Sequence, residues 1–311
     1  MNLKLGYLVF GVRDMAAWRD FCERMLGLPP AVANPDGSAG WRIDDAAQRL
    51  IVQEDGGDDL AALGLDCGTA ADLEHVAARV RAAGVDVDAA PAALRAARRV
   101  ERLYVTRDPA GNQVELFCAA ERADAPFEST AFPAGFRTGD AGMGHAALAG
   151  GDPEAMERFY SEVLGFAVTE RLSTRAGPVD IRGVFLHCNR RHHSIALFQL
   201  PSTKRLHHFM LQARTHMDVG RALERAGQLR VPLSLDLGQH PAPDGTFSFY
   251  GITPSGFDFE IGAGSGEIEP GGWKAMRTGQ TSSWGHRPQW RLKWRIASAL
   301  LRQRLRVRRR V

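Results

Sequence analysis

Apolar and polar positions alternate along this chain in short runs separated by helical stretches, and the order of those runs repeats. Leu5-Gly6-Tyr7-Leu8-Val9-Phe10 reads as a strand. It is followed by Asp14-Met15-Ala16-Ala17-Trp18-Arg19-Asp20-Phe21, with apolar residues on one helical face, and then by Leu26-Gly27-Leu28. The same sentence returns 138 residues later as Met143-Gly144-His145-Ala146-Ala147-Leu148, Asp152-Pro153-Glu154-Ala155-Met156-Glu157-Arg158-Phe159 and Leu164-Gly165-Phe166. Asp152 before Pro153 predicts a capped helix start, and the glycine after Leu164 predicts its end.

A weaker copy lies inside each half. Residues Ala71 to Gly84 and Val219 to Gly227 read as helices ending in Arg-Ala-Ala-Gly and Arg-Ala-Gly. Each half then closes on matching turn-and-strand segments, Asp108-Pro109-Ala110-Gly111-Asn112-Gln113-Val114-Glu115-Leu116 and Thr253-Pro254-Ser255-Gly256-Phe257-Asp258-Phe259-Glu260-Ile261. Four units of about 60 residues, each with one helix and several strands, exceed the period of solenoid repeats and predict two homologous α+β domains. The expected boundaries are residues 1–125 and 140–286, with 287–311 as a basic tail. The joint at Ala123 to Asp140 is rich in Pro and Gly and carries little apolar periodicity.

The repeat doubles as an internal control for chemistry. His145, His208 and Glu260 each sit in a strand-like run of the second half, and together they are the donor set of a 2-His-1-carboxylate facial triad. In the first half Tyr7 stands at the His145 position, an apolar residue near Leu65 stands for His208, and only Glu115 matches Glu260. The first half is therefore expected to be metal-free, with Glu115 as a relic or a structural carboxylate.

Composition narrows the reading. The chain of 311 residues is 44% hydrophobic and 24% charged, ordinary for a folded protein of about two domains. Nothing at the start resembles a signal peptide, and no apolar run reaches membrane-spanning length, so a cytoplasmic location is the expectation. Cys22, Cys67, Cys118 and Cys188 show no C-x-x-C spacing, and neither a disulfide framework nor a zinc site is expected. The net charge of +3 conceals nine Lys or Arg in the last 22 residues; the remainder carries 30 basic and 36 acidic residues, a net −6. Nucleic acid is thus not an expected partner. The glycines form no nucleotide-binding motif.

The segments Leu5-Gly6-Tyr7, Trp41-Arg42-Ile43-Asp44, Phe185-Leu186-His187-Cys188-Asn189-Arg190-Arg191-His192-His193 and Lys204-Arg205-Leu206-His207-His208 carry a further signal. With Ser248-Phe249-Tyr250, Thr253-Pro254-Ser255-Gly256 and Trp284-Gly285-His286, they make the chain resemble the type I extradiol ring-cleavage dioxygenases of the vicinal oxygen chelate superfamily, in particular the 2,3-dihydroxybiphenyl 1,2-dioxygenase group. The resemblance spans roughly Leu3 to His286 and implies four βαβββ modules paired into two glyoxalase/bleomycin-resistance-like domains. It implies His145, His208 and Glu260 as ligands of Fe(II), with Mn(II) as the alternative ion, and His193, His240 and Tyr250 as catalytic residues. Ala147, Phe185, Ala196, Leu200, Asp244 and Thr281 are implied as substrate-binding residues. The implied partners are a bulky or bicyclic 3-substituted catechol and O2, both of whose atoms enter the product, and the implied assembly is a homo-oligomer.

Adjacent strand residues face opposite ways, so only one each of His207/His208 and His192/His193 is expected to point into the cup; the family pattern favours the second. Where the family commonly has His-x-Asn-Asp, this chain reads His240-Pro241-Ala242-Pro243-Asp244, stiffened by two prolines. His187 and His286 carry no independent chemical argument and are left outside the site. Competing readings are a glyoxalase-like metal-dependent isomerase or resistance protein, and a non-catalytic aromatic-binding protein. Trp290, Trp294, Leu301 and Leu305 recur among basic residues in the tail, a pattern that suits an anionic membrane surface. A solvated extension is the expectation there, with surface contact as the alternative.

Overall fold

A computed structural model of the protein describes residues 3–176, 179–269, 271–293 and 297–298. The first half runs β1 (Lys4–Val12), α1 (Met15–Asp20), β2 (Val32–Ala33), β3 (Ala39–Trp41), β4 (Leu50–Glu54), β5 (Asp59–Asp66), α2 (Ala70–Ala82), β6 (Val87–Ala89), α3 (Ala92–Arg98), β7 (Val100–Arg107) and β8 (Gln113–Ala120). The second runs β9 (His145–Ala149), α4 (Pro153–Arg158), β10 (Ala167–Ala176), β11 (Val179–His187), β12 (Ile195–Gln199), β13 (Leu206–Gln212), α5 (His216–Gln228), β14 (Leu233–Gln239), β15 (Phe247–Ile252) and β16 (Asp258–Ala263), followed by β17 (Met276–Thr278). The helices of the repeat are present, though α5 starts three residues before the expected Val219: Asp14, Thr69, Asp152 and Thr215 each accept a hydrogen bond from the backbone N–H three residues on, and of these caps Asp152 was the one expected from the sequence.

The strands form two sheets, in the orders β2-β3-β4-β1-β5-β8-β7-β6 and β14-β15-β16-β13-β9-β12-β11-β10-β17. In each, the opening strands of two modules lie antiparallel at the centre (β1 with β5, β9 with β13), and each is flanked by the parallel closing strand of its own module. This is the expected paired βαβββ arrangement.

Period-two alternation divides the central strands between two tasks. Leu8, Phe10, Ala146, Leu148, Phe209, Leu211, Phe259 and Ile261 face a core shared by both halves. Their neighbours face the two cups. The Phe10 ring lies 5.0 Å from Trp18 of its own half and, across the seam, 5.3 Å from Phe209 and 5.2 Å from Phe257, and the Trp18 indole N–H donates to Ser255 Oγ at 2.9 Å. Arg79 of α2 donates to the Glu162 carbonyl and Arg225 of α5 to the Met25 carbonyl, so each half braces the other. The connector between the halves is not the bare linker its composition suggests. Phe132 and Phe136 are buried in it, and the Arg225 guanidinium lies 5.0 Å from the Phe132 ring centroid.

The two cups differ in what fills them. The first contains the side chains of Tyr7, Val9, Ile51, Ala62, Leu103 and Phe117, with Leu94 of α3, a helix the repeat did not predict, packed against them. At the end of α3 the buried Arg98 guanidinium reaches Glu115 through Nε at 2.9 Å and Nη2 at 3.3 Å. Tyr7 and Gln113 also donate to Glu115, at 2.5 and 2.8 Å. Strand register corrects one equivalence: Ala62, not a residue near Leu65, occupies the position of His208. Ala62 pairs with Val9 and Gln113 as His208 pairs with Ala147 and Asp258. A register shift between β1 and β5 near Leu5 and Tyr7 displaces the count.

Candidate metal and substrate site

The second cup opens onto a cavity of about 730 Å³. At its floor, His145 of β9, His208 of β13 and Glu260 of β16 come from three neighbouring strands and point to the same face. His145 Nε2 lies 3.0 Å from His208 Nε2 and 3.2 Å from Glu260 Oε2, and His208 Nε2 lies 3.5 Å from the same oxygen. Bonds of about 2.1 Å at right angles would separate neighbouring ligand atoms by about 3 Å, so this triangle fits one face of a six-coordinate ion.

Glu260 supplies the stronger test. It is 1% exposed, and among the described residues neither carboxylate oxygen has a partner in hydrogen-bonding geometry. Burying an ionised carboxylate without compensation is very costly. Glu115, its counterpart in the first half, is fully buried and receives four donors, including the Arg98 guanidinium. The first cup thus supplies a guanidinium at hydrogen-bonding distance, whereas in the second the carboxylate faces the imidazoles of His145 and His208 and a cavity, with His240 Nε2 standing off at 3.5 Å. The residues fit a divalent cation.

Protonation agrees with ligation. Burial, then the neighbouring His207 and His145, pushes His208 well below its usual value and leaves a neutral imidazole. Burial alone would raise the Glu260 carboxyl, but His145 and His240 hold it well below the usual carboxylate range.

Around the triad stand the other residues singled out in the sequence. His193 is 5% exposed; its ring lies 4.1 Å from His145 and 4.9 Å from Phe185, and its Nδ1 meets His192 Nδ1 at 3.0 Å. Burial, then His145, lowers its basicity strongly. The His240 ring is held from both sides: Nδ1 donates to the Thr281 carbonyl at 2.6 Å, and Nε2 meets the Tyr250 hydroxyl at 2.9 Å and Glu260 Oε1 at 3.5 Å. Burial opposes its cation, but Glu260 and Asp244 more than offset this, and its pKa is pushed up to about 9. Burial and Glu260 keep the Tyr250 phenol protonated, well above its usual value. The proline-rich loop closes on itself, with Gly245 N–H donating to the Pro241 carbonyl, and brings His240 to the triad despite the altered sequence.

Phe185, Leu200, Asp244 and Thr281 line the cavity as expected. Ala147 and Ala196 do not. They are paired across β9 and β12 and buried, and as methyl side chains they lie beneath larger neighbours, His208 opposite Ala147 and Phe185 opposite Ala196. His193 lines the cavity and His192 does not, but strand parity is not the reason: both lie in the bend between β11 and β12, where their Nδ1 atoms meet; His207 lines the cavity together with His208. The pairing of β13 with β9 shifts between Leu206 and His208, and such an irregularity re-aims the side chain within it.

His286 also belongs to the wall. It is 7% exposed, its ring lies 4.6 Å from that of His240, and it meets Ser248 and Ser282. Its residue type alone gave no reason to choose it, because its place depends on the segment after β17 crossing the cup.

The sequence matches the profile of the Glyoxalase/Bleomycin resistance protein/Dioxygenase superfamily over residues 142–261, and that of the dihydroxybiphenyl dioxygenase BphC first domain over residues 5–55. It is 40% identical over 288 residues to 3-methylcatechol 2,3-dioxygenase of Pseudomonas putida F1, covering 92% of this chain and 98% of that one. It is 41% identical over 291 residues to biphenyl-2,3-diol 1,2-dioxygenase of Pseudomonas sp. KKS102, covering 91% and 97%. A crystal structure of catechol 2,3-dioxygenase superposes with a TM-score of 0.83 at 30% identity, covering 92% of this chain and 94% of that one. With two module pairs, one cup filled and one bearing a 2-His-1-carboxylate triad, the chain belongs to the extradiol dioxygenases of the glyoxalase/bleomycin resistance protein/dioxygenase superfamily.

Proposed function

We propose that this protein is an Fe(II)-dependent extradiol dioxygenase that opens a 3-substituted catechol beside its two hydroxyls and incorporates both atoms of O2. The observation that carries the reading is the unsatisfied Glu260 carboxylate, 3.2 and 3.5 Å from the imidazoles of His145 and His208 on the floor of an open cup. Two imidazoles and one carboxylate on one face suit non-haem Fe(II), with Mn(II) as the competing ion. When bound, the ion supplies adjacent positions and electrons for catecholate and O2. His145, His208 and Glu260 hold it and leave the cavity side open.

The surrounding residues handle substrate and protons. Burial keeps His193 neutral, so it can accept a proton from a catechol hydroxyl and later return it. Its Nδ1 is engaged by His192, which leaves Nε2 for this role. Tyr250 stays protonated and donates to a substrate oxygen, and His240, fixed by the Thr281 carbonyl, orients that phenol. Phe185 and Leu200 give the ring an apolar wall, with Asp244 and Thr281 at its polar edge. Residues 140–286 then form the catalytic half and residues 1–125 a metal-free scaffold.

Anaerobic reconstitution with ferrous ion, followed by a panel of catechols in air, tests the reading. Oxygen uptake with appearance of a yellow ring-opened product is expected. Metal binding without oxygen uptake on any catechol would refute it and favour the isomerase or binding-protein alternatives.

A further inference from the structure

After β16 the chain crosses the open side of the catalytic cup and ties its two edges together. β17 pairs with β10 at one edge of the sheet. The chain then bonds along β14 at the other edge: Ser283 N–H donates to the Gln239 carbonyl, Gln239 N–H to the Trp284 carbonyl, and Gln289 N–H to the Ser234 carbonyl at 2.8 Å. The helical turn that begins at Trp290 follows directly on that last anchor, so its position at the cavity mouth is fixed by the strap.

The metal donors and titratable groups line the floor, whereas the outer lining includes the apolar side chains Ile181, Leu200, Ile252, Pro288, Trp290 and Leu292. Two polar side chains of the same lining, Lys204 and Ser202, are already engaged. Lys204 Nζ donates to the Asp58 carbonyl at 2.6 Å and Ser202 Oγ to the Lys204 carbonyl at 2.8 Å, while the Arg291 guanidinium lies 5.1 Å from the Trp290 ring centroid. Trp290 is 65% exposed. A large aromatic at the mouth of an apolar cavity gains most from a ligand that extends out to it.

We infer that the Trp290–Leu292 turn is a specificity-determining cap that contacts the distal end of an apolar substituent on the catechol. The inference rests on the dioxygenase reading and deepens it: the substrate class is catechols whose substituent is long enough, and apolar enough, to leave the floor and reach the strap. Single-ring catechols bind at the floor without touching the cap.

The test uses Trp290→Ala, Leu292→Ala and Trp290→Phe in the full chain, with catechol and biphenyl-2,3-diol as paired substrates. Loss of apolar contact worth 1–3 kcal/mol corresponds to a change of about 10- to 200-fold. KM for biphenyl-2,3-diol is expected to rise about tenfold in Trp290→Ala, less in Leu292→Ala, and to recover in Trp290→Phe, while kcat and the KM for catechol stay within about twofold. An unchanged ratio between the two substrates, or an equal loss on both, would overturn the cap. Anaerobic calorimetry of the same diols with the iron-loaded variants reads the contact without turnover. If no diol is opened by any form, the dioxygenase reading fails. If the wild type discriminates in calorimetry no better than Trp290→Ala, the cap fails.

Discussion

His208 and His193 lie on the same floor and do different work, and substitution separates them. His208→Ala removes one vertex of the donor triangle and is expected to lower metal affinity by at least 100-fold. His193→Ala leaves the triangle intact, so metal content is expected to stay near the wild-type level while turnover falls by about 10²–10⁴, the usual range for a proton-transfer group. Metal analysis with steady-state kinetics checks both, and iron loss in both would undo the assignment. His187 gives a pH dependence away from the ligands. Burial, then His192, pushes its pKa down to about 4, and its Nδ1–H donates to Thr169 Oγ1, whose own hydroxyl proton goes to the His192 carbonyl. The unfolded imidazole takes a proton near pH 6.5 and the folded one does not until about pH 4. Its contribution to stability is therefore complete above pH 6.5 and is lost as pH falls towards 4. Chemical denaturation from pH 8 to 4 should show a shallower acid-side decline in His187→Gln than in the wild type; identical slopes would contradict this.

At the scale of elements, the strap from β17 to Pro288 ties the two edges of the sheet together across the cup and presents Thr281 to His240. Gly285 makes its turn with φ +68, and a Cβ there would come within 2.1 Å of the Leu237 carbonyl oxygen. Gly285→Ala is thus expected to displace the strap, free His240 and lower kcat by about tenfold or more while metal content is retained, a split read by metal analysis beside turnover. Wild-type kcat in that variant would show that the strap does not position His240. The sequence left this element unread. Its bonds run to β10 and β14, both distant in sequence, and no periodicity within 276–289 announces them. The bulge that admits His207 was hidden for a similar reason, since parity assumes unbroken pairing. The helices and triad were legible because a cap such as Asp152 acts within three residues and the apolar face repeats locally, and because period two places His145, His208 and Glu260 on one face wherever their strands pair.

Across the whole molecule, one scaffold has been used twice with opposite solutions to a buried carboxylate. Glu115 is held by Arg98, and removing one partner of a buried ion pair costs about 3–5 kcal/mol. Arg98→Met is therefore expected to destabilise the protein by about that amount with the second cup's metal affinity unchanged; a stability change below about 1 kcal/mol would refute a structural role for the pair. The comparison of halves singled out Tyr7 and Glu115 at the ligand positions of the first cup, but not the guanidinium that holds Glu115, because Arg98 arrives on α3, a helix the repeat did not predict. In the second half the carboxylate meets imidazoles in place of a guanidinium, beside a cavity, and the proposed chemistry depends on both. The most direct measurement is mass spectrometry of the product formed from biphenyl-2,3-diol under ¹⁸O2 by the iron-loaded enzyme. A ring-opened product carrying both heavy oxygen atoms at formation is expected, with allowance for exchange with water; an intact diol, or a product with no label from O2, would contradict extradiol cleavage.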